Sequence, residues 1–116
     1  ITVKLFNAAH SDKNDIITEV FRSKALIVGS PTINNGISFA MEGLMEMIKG
    51  LKLKGKCGAA FGSYGWSGES PKLLTAKLEG AGFKILAEGL RAPWVPEENV
   101  KTQCREYGIA FVKALA

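Results

Sequence analysis

Two loops rich in small, polar and aromatic residues contain most of the side chains in this sequence that could bind a ligand or take part in chemistry. The first loop ends the stretch A-L-I-V-G-S-P-T-I-N-N-G, which runs from Ala25 to Gly36. The second ends the stretch G-A-A-F-G-S-Y-G-W-S-G-E-S-P, which runs from Gly58 to Pro71. Each loop follows a short apolar strand and leads toward a helix. Because ligands of an open α/β sheet bind outside the carboxyl ends of its strands, the loops predict a rim that binds a flat aromatic ligand.

The side chains of this rim suit recognition of such a ligand. Hydroxyl and amide groups in the first loop come from Ser30, Thr32, Asn34 and Asn35, and Pro31 stiffens that loop. The second loop offers hydroxyls and accessible backbone N–H groups on Ser63, Ser67, Gly62, Gly65 and Gly68. Tyr64 and Trp66 offer ring faces for stacking, worth ~0.5–1.5 kcal/mol beyond area burial. A hydrophobic lid and tight turn geometry are the alternative explanations, but neither explains why both loops carry the same residue types.

Other common kinds of site are excluded by the absence of their motifs. The sequence has no G-x-G-x-x-G opening a helix, no Gly-Lys-Ser/Thr phosphate loop and no G-x-S-x-G nucleophile elbow. His10 is the single histidine, and its neighbours Ser11 and Asp12 predict an exposed turn. Cys57 and Cys104 do not have metal-ligand spacing. We therefore predict no catalytic residue and no metal site in this chain.

Length and composition predict one globular domain over residues 1–116. The net charge is +4, and the densest basic group, residues 49–56, lacks the interleaved aromatic residues typical of nucleic-acid binding. No apolar run approaches the ~20 residues that a membrane helix needs. Two cysteines without a disulfide pattern are typical of a reducing cytoplasm. We therefore expect a cytoplasmic domain with no nucleic-acid or membrane partner.

Hydrophobic periodicity predicts an alternation of strands and helices. Strands are predicted over residues 1–6, 25–29, 56–62 and 83–88, with an extended segment over 91–96. Helices are predicted over residues 14–22, 38–49 and 97–115, with another that begins after a Ser70 cap and ends at residues 80–82. The last helix is expected to turn Val100, Cys104, Tyr107, Phe111 and Leu115 inward. Such alternation is typical of a parallel sheet with helices on both faces.

The two loops also make the sequence recognisable. V-G-S-P-T-I-N-N and F-G-S-Y-G-W-S-G-E closely resemble the flavodoxin-like domain of flavodiiron proteins, also called A-type flavoproteins. The resemblance extends to L-K-G-K at the start of the strand predicted over residues 56–62 and to V-P near the last helix, and it covers essentially the whole chain. It implies an α/β, flavodoxin-like three-layer sandwich with a parallel sheet.

The resemblance implies FMN as the cofactor and assigns residues to it. The isoalloxazine ring would be bordered by Ser30, Pro31, Thr32, Ile33, Asn34 and Asn35. Its pyrimidine side and edge would be held by Ser63, Tyr64, Gly65, Trp66, Ser67 and Gly68, with Trp94 nearby. In this family, FMN passes electrons to a di-iron site in a metallo-β-lactamase-like domain, which reduces oxygen or nitric oxide. The implied partners are that domain, an electron donor such as rubredoxin or a reductase, and a second subunit arranged head to tail.

The resemblance also implies that the chain is incomplete at its N-terminus. Residues 1–6 match the second strand of the family, and the first strand with its phosphate-binding loop has no counterpart. In the flavodoxin strand order 2-1-3-4-5, the missing strand is central. We therefore expect weak FMN binding by this chain and no complete enzyme. The alternative is a flavin-free fragment or interaction module with the same fold, and a colourless preparation would identify it.

Overall fold

The structure, a computed structural model, describes residues 1–65, 68–93 and 96–115. The helices are α1 (Lys13–Arg22), α2 (Phe39–Leu51), α3 (Ser70–Gly80) and α4 (Glu98–Leu115). The strands are β1 (Ala25–Gly29), β2 (Cys57–Tyr64), β3 (Lys84–Ile85) and β4 (Leu90–Pro93). All strand pairings are parallel, which confirms the predicted α/β class.

The sheet is organised around β2. Strand β1 pairs with one edge of β2 in the register Ala25–Cys57 through Gly29–Phe61. Strands β3 and β4 follow each other along the opposite edge and together occupy one strand position. Ile85 pairs with Gly58 and Leu90 pairs with Phe61, so the stretch between β3 and β4 contains more residues than the stretch of β2 that it faces. The strand predicted over residues 83–88 forms only at Lys84–Ile85, because the extra outer residues leave the ladder as a bulge before β4.

Local capping explains where the first two helices begin. The Asp12 side chain accepts a hydrogen bond from the Asn14 N–H at 2.7 Å and caps α1. Ser38 accepts from the Met41 N–H at 3.4 Å and caps α2. In each case the side chain satisfies a backbone donor that the helix itself leaves without a partner.

Helices α1, α2 and α3 cover one face of the sheet. Their buried apolar side chains meet Val28 of β1 and Ala60 of β2 in one core. The helical members of this core are Ile16, Val20, Met41, Leu44, Met45, Ile48, Leu74 and Leu78. The four on α2 recur at i, i+3, i+4 and i+7, so the predicted core stripe of that helix is confirmed.

Helix α4 covers part of the other face and is less buried than predicted. Phe111 is buried as predicted. Cys104 is exposed, so the predicted inward position of Cys104 is wrong. The Tyr107 hydroxyl lies within hydrogen-bond distance of two carbonyl oxygens, Glu88 at 2.6 Å and Ala60 at 3.3 Å. Partial burial raises the pKa of Tyr107 above its usual 10, and the Ala60 carbonyl opposes the rise.

The N-terminal segment and one face of β1 differ most from the predictions. Residues 1–6 form no strand, and their apolar side chains are exposed, with Leu5 at 93%. The predicted strand is wrong because no described residue supplies it with a hydrogen-bonding neighbour. The continuous apolar run of residues 25–29 predicts a strand that is covered on both faces, and this prediction is also wrong. Ile27 is 40% exposed, and Phe61 beside it on β2 is 46% exposed.

Candidate functional site

The two loops lie side by side at the carboxyl end of the sheet. The Thr32 N–H donates a hydrogen bond to the Ser63 carbonyl at 2.8 Å, and the Ser30 N–H donates to the Phe61 carbonyl at 3.3 Å. These bonds continue the parallel pairing of β1 and β2 beyond the end of β1. The prediction that adjacent parallel strands bring the loops together is therefore confirmed.

Ser70 joins the first loop to the beginning of α3. Its hydroxyl donates to the Ser30 carbonyl at 2.8 Å, and its N–H donates to Thr32 Oγ1 at 3.2 Å. The prediction that Ser70 caps α3 is wrong, since Ser70 is the first helical residue and is fully buried. Glu69 occupies the cap position without a side-chain bond. The hydroxyl therefore fastens the helix to the loop instead of satisfying a helical N–H.

Gly62 permits this close packing. A Cβ atom at Gly62 would overlap both Ser70 Oγ and the Ser30 carbonyl oxygen, and would lie 3.3 Å from Pro71 Cδ. Only a residue without a side chain allows β2, the first loop and α3 to meet at this point. The rim is thus built on a rigid junction of three elements.

The tip of the first loop is a two-residue turn. Ile33 and Gly36 exchange backbone hydrogen bonds of 3.0 and 2.8 Å, which close the turn around Asn34 and Asn35. Both asparagines have positive φ, 49° and 61°, as a type I′ turn requires. Asn tolerates this region better than most residues, so the Asn-Asn pair fixes the turn. The turn presents exposed Ile33, Asn34 and Asn35 at the rim.

Of the remaining first-loop candidates, one is buried and holds the loop in place, and two are accessible at the surface. Ser30 is buried, and its hydroxyl accepts a hydrogen bond from the Ser38 N–H at 2.9 Å. Its side chain therefore holds the loop against the start of α2. Pro31 is exposed and Thr32 is half-buried, so these two are open to a ligand.

The second loop begins with a half-buried aromatic ring. Tyr64 ends β2, and the Arg91 guanidinium carbon lies 5.6 Å from the centre of the Tyr64 ring. Ser63 and Gly68 are half-buried, and Gly65 is exposed. The candidates Trp66, Ser67 and Trp94 lie outside the described residues.

Glu69 is a polar residue at this rim that the predicted site did not include. Its Oε2 atom is buried and accepts no hydrogen bond from any described residue. A buried acceptor without a partner is unfavourable by ~1–3 kcal/mol. A ligand N–H donor at this position would remove that penalty. The sequence signal was its place directly after Gly68, at the start of a helix.

These features fit a flavin. A flat heteroaromatic ring with N–H donors and carbonyl acceptors on one edge needs an aromatic face, backbone donors and at least one free acceptor. Tyr64, the exposed Gly65 and the Glu69 oxygen are of these kinds. The rim therefore has the chemistry of a flavin-ring site.

Outside the rim, the described residues form a shallow groove but no metal-ion cluster and no membrane-spanning helix. A shallow groove between α2 and α3 includes Met45, Lys49, Leu73 and Lys77, but it contains none of the predicted site residues. Residues 1–65, 68–93 and 96–115 contain no cluster of three His, Cys, Asp or Glu that could hold a metal ion. Within the same ranges, no helix has the length and apolar character needed to cross a membrane.

Curated relatives match the chain over essentially its full length. It is 44% identical over 116 residues to the anaerobic nitric oxide reductase flavorubredoxin of Aliivibrio fischeri, covering 100% of this chain and 23% of that protein. It is also 44% identical over 108 residues to the protein of that name in Escherichia coli K12, covering 93% of this chain and 22% of that protein. The chain therefore spans less than a quarter of the length of these relatives.

Solved structures share the fold. Rubredoxin oxygen:oxidoreductase from Desulfovibrio gigas superposes with a TM-score of 0.94 and 40% identity, over 98% of this chain and 28% of that one. A flavodoxin from the domain Archaea superposes with a TM-score of 0.81 and 30% identity, over 93% of this chain and 73% of that one. The flavodoxin family model matches residues 1–108. With this match, the parallel sheet and the paired rim loops, the chain belongs to the flavodoxin family.

Proposed function

We propose that this chain is the FMN-binding electron-transfer domain of a flavodiiron oxidoreductase. One observation carries the proposal: the Thr32–Ser63 hydrogen bond of 2.8 Å joins the two loops into one rim at the carboxyl end of a flavodoxin-family sheet. A ring lying along that rim would contact both loops at once. The likeness to flavorubredoxin and to rubredoxin oxygen:oxidoreductase supports a role in electron transfer.

The two loops would divide the work of binding. The first loop would border the ring through Pro31, Thr32 and the turn at residues 33–35, while Ser30 positions that loop. The second loop, residues 63–68, would hold the pyrimidine side and edge through hydroxyls, backbone N–H groups and the Tyr64 face. When bound, FMN supplies reversible one- and two-electron chemistry. The protein orients the ring and sets the charge around it.

The chain would work only as part of a larger assembly. Its flavorubredoxin relatives are more than four times as long, so further domains are expected to complete the activity. We propose a di-iron metallo-β-lactamase-like domain as the electron acceptor and rubredoxin or a reductase as the electron donor. We also propose a homo-oligomer in the cytoplasm, in which the rim faces the partner's acceptor site.

Binding by this chain alone should depend on the ring and not on the phosphate. The predicted rim would contact the isoalloxazine, whereas the resemblance implies that the phosphate-binding loop has no counterpart in these residues. A phosphate held by a helix N-terminus adds charge-assisted hydrogen bonds. Without them, FMN and riboflavin should bind with similar and modest affinity.

The test is a pair of titrations followed by flavin fluorescence quenching. FMN and riboflavin are added separately to the purified chain, to Thr32→Val and to Thr18→Val. Thr32 Oγ1 accepts from the Ser70 N–H at the rim, whereas the Thr18 hydroxyl bonds only to Asn14 within α1. We expect quenching with both flavins and weaker binding for Thr32→Val, with Thr18→Val equal to the parent chain.

Two results would contradict parts of this proposal. No quenching with either flavin would remove the ring site and favour the flavin-free module. Much tighter binding of FMN than of riboflavin would show a phosphate site within these residues. A preference of that kind would leave the ring site in place and overturn only the account of the phosphate.

A further inference from the structure

Arg91 occupies an unusual position beside the second loop. It lies on β4, directly across the sheet from Gly62, and its side chain is exposed. Its guanidinium carbon lies 5.6 Å from the centre of the Tyr64 ring, within the range of a cation–π contact. No residue of the described ranges forms an ion pair with it. Among the described residues, the Tyr64 ring is a direct contact of its charged end.

The same side chain lies against the far end of the second loop. A Cβ atom at Gly68 would be 2.9 Å from Arg91 Cδ, 3.2 Å from its Nη1 and 3.2 Å from Tyr64 Cδ1. Arg91, Tyr64 and the backbone of Gly68 therefore pack together, and a side chain at Gly68 would require Arg91 to move. Tyr64 and Gly68 are the two ends of the loop segment 65–67. One side chain from a neighbouring strand thus contacts both ends of that segment.

We propose that Arg91 is a positioning residue that braces the second loop by holding Tyr64 and Gly68, on either side of the segment 65–67, in place. A loop whose ends are already fixed loses less conformational freedom when a ligand binds, so the ligand binds more tightly. The ligand part of this inference rests on the proposed flavin-binding function. The bracing itself concerns the free protein and does not depend on that function.

The contact geometry favours a role for the whole side chain over a role for the charge alone. Arg91 Cδ lies beside Gly68 and the guanidinium carbon lies over the Tyr64 ring, so both the stem and the charged end of Arg91 contact the loop. Lys retains the positive charge but has neither the planar group nor its stacking ability. Arg91→Lys and Arg91→Met should therefore behave alike if Arg91 is a brace. If only the charge matters, Arg91→Lys should behave like the parent chain.

The first measurement is amide hydrogen exchange in the flavin-free protein. We expect faster exchange at residues 64–68 in both Arg91 variants, with the amides of α2 unchanged. Arg105→Met, which removes an exposed arginine from α4, serves as the matched control and should exchange like the parent chain. Thermal unfolding followed by circular dichroism checks that each variant is folded.

The second measurement is flavin affinity. A cation–π contact at an exposed site corresponds to roughly a two- to fivefold change in affinity, and we expect Arg91→Lys and Arg91→Met to lose that much equally. Unchanged exchange in Arg91→Met would overturn the brace. Parent-like behaviour of Arg91→Lys would overturn it in favour of simple electrostatics.

The two measurements separate the brace from the proposed function. If exchange responds as expected but the parent chain binds no flavin, the brace stands and the flavin function fails. If the parent chain binds flavin and neither exchange nor affinity responds to Arg91, the function stands and the brace fails. Gly68→Ala adds an independent check, because its Cβ would displace Arg91 and should reproduce the Arg91→Met exchange pattern.

Discussion

Substituting Gly62 by Ala tests the junction that supports the rim. The new methyl group would overlap Ser70 Oγ and the Ser30 carbonyl oxygen. To make room, α3 must move away from β2, which breaks the buried Ser70–Ser30 hydrogen bond of 2.8 Å. We therefore expect Gly62→Ala to destabilise the folded chain.

The magnitude follows from two terms. A buried hydroxyl left without its partner lowers stability by ~1–3 kcal/mol, and overpacking a well-filled site lowers it by ~1–3 kcal/mol. Together they give about 2–6 kcal/mol, which is a large share of the ~5–15 kcal/mol stability of an ordinary domain. Replacing Gly by Ala in an element interior gains back only ~0.5–1 kcal/mol through backbone entropy.

Urea unfolding followed by circular dichroism measures the effect. Gly108→Ala is the matched control, since a Cβ there meets nothing within 4 Å on α4 and should stabilise the chain slightly. Ser70→Ala in the Gly62→Ala background removes one overlapping atom and should recover part of the loss. The reasoning is refuted if Gly62→Ala unfolds within ~0.5 kcal/mol of the parent chain, or if the two substitutions are additive.

Three further predictions concern other parts of the molecule. Tyr107→Phe removes the hydroxyl bonded to the Glu88 carbonyl and should lower the free energy of unfolding by ~1 kcal/mol. Because the pKa of Tyr107 is raised in the folded chain, this difference is fully present below pH 10 and shrinks as pH rises through the folded pKa. Urea unfolding measured across this pH range tests both statements. Ile27→Lys should reduce self-association through the exposed β1 edge, measured by sedimentation, and equal association of both chains would contradict it. Residues 62–68 contain no carboxylate, so Gly65→Asp should shift the second reduction step of bound flavin to a more negative potential, and an unchanged potential by potentiometry would count against the ring site.

The sequence predicted best those elements whose environment is supplied by nearby residues. The stripe of α2 predicts directly which of its residues meet in the core, and both α2 and β1 form where expected. The rim was predictable for the same reason, since parallel strands necessarily bring their carboxyl ends together. Ser70 was predicted wrongly because its local pattern fits a helix cap, while its actual partner, the Ser30 carbonyl, is 40 residues away in the sequence.

The rim residues beyond the two motifs could not be predicted from spacing. Arg91 reaches Tyr64 only because β4 pairs with β2 in one particular register, and that register depends on the bulge between β3 and β4. Gly89 within the bulge approaches Pro71 of α3 so closely that a Cβ would lie 2.5 Å from Pro71 Cβ. Tertiary packing against α3, and not local preference, thus explains where the strand is interrupted.

The apolar pattern of β1 describes a more complete environment than these residues provide. An unbroken apolar strand is typical of a parallel sheet that is covered on both faces. In the structure, only the side of Val28 is covered, while Ile27 is 40% exposed and Phe61 lies across Gly29 with 46% of its surface exposed. The alternating side chains of residues 1–6 are likewise exposed beside no strand. Since both patterns are those of paired and covered strands, we expect the free edge of β1 to be the place where further polypeptide completes the sheet, and the sequence pattern anticipates that contact.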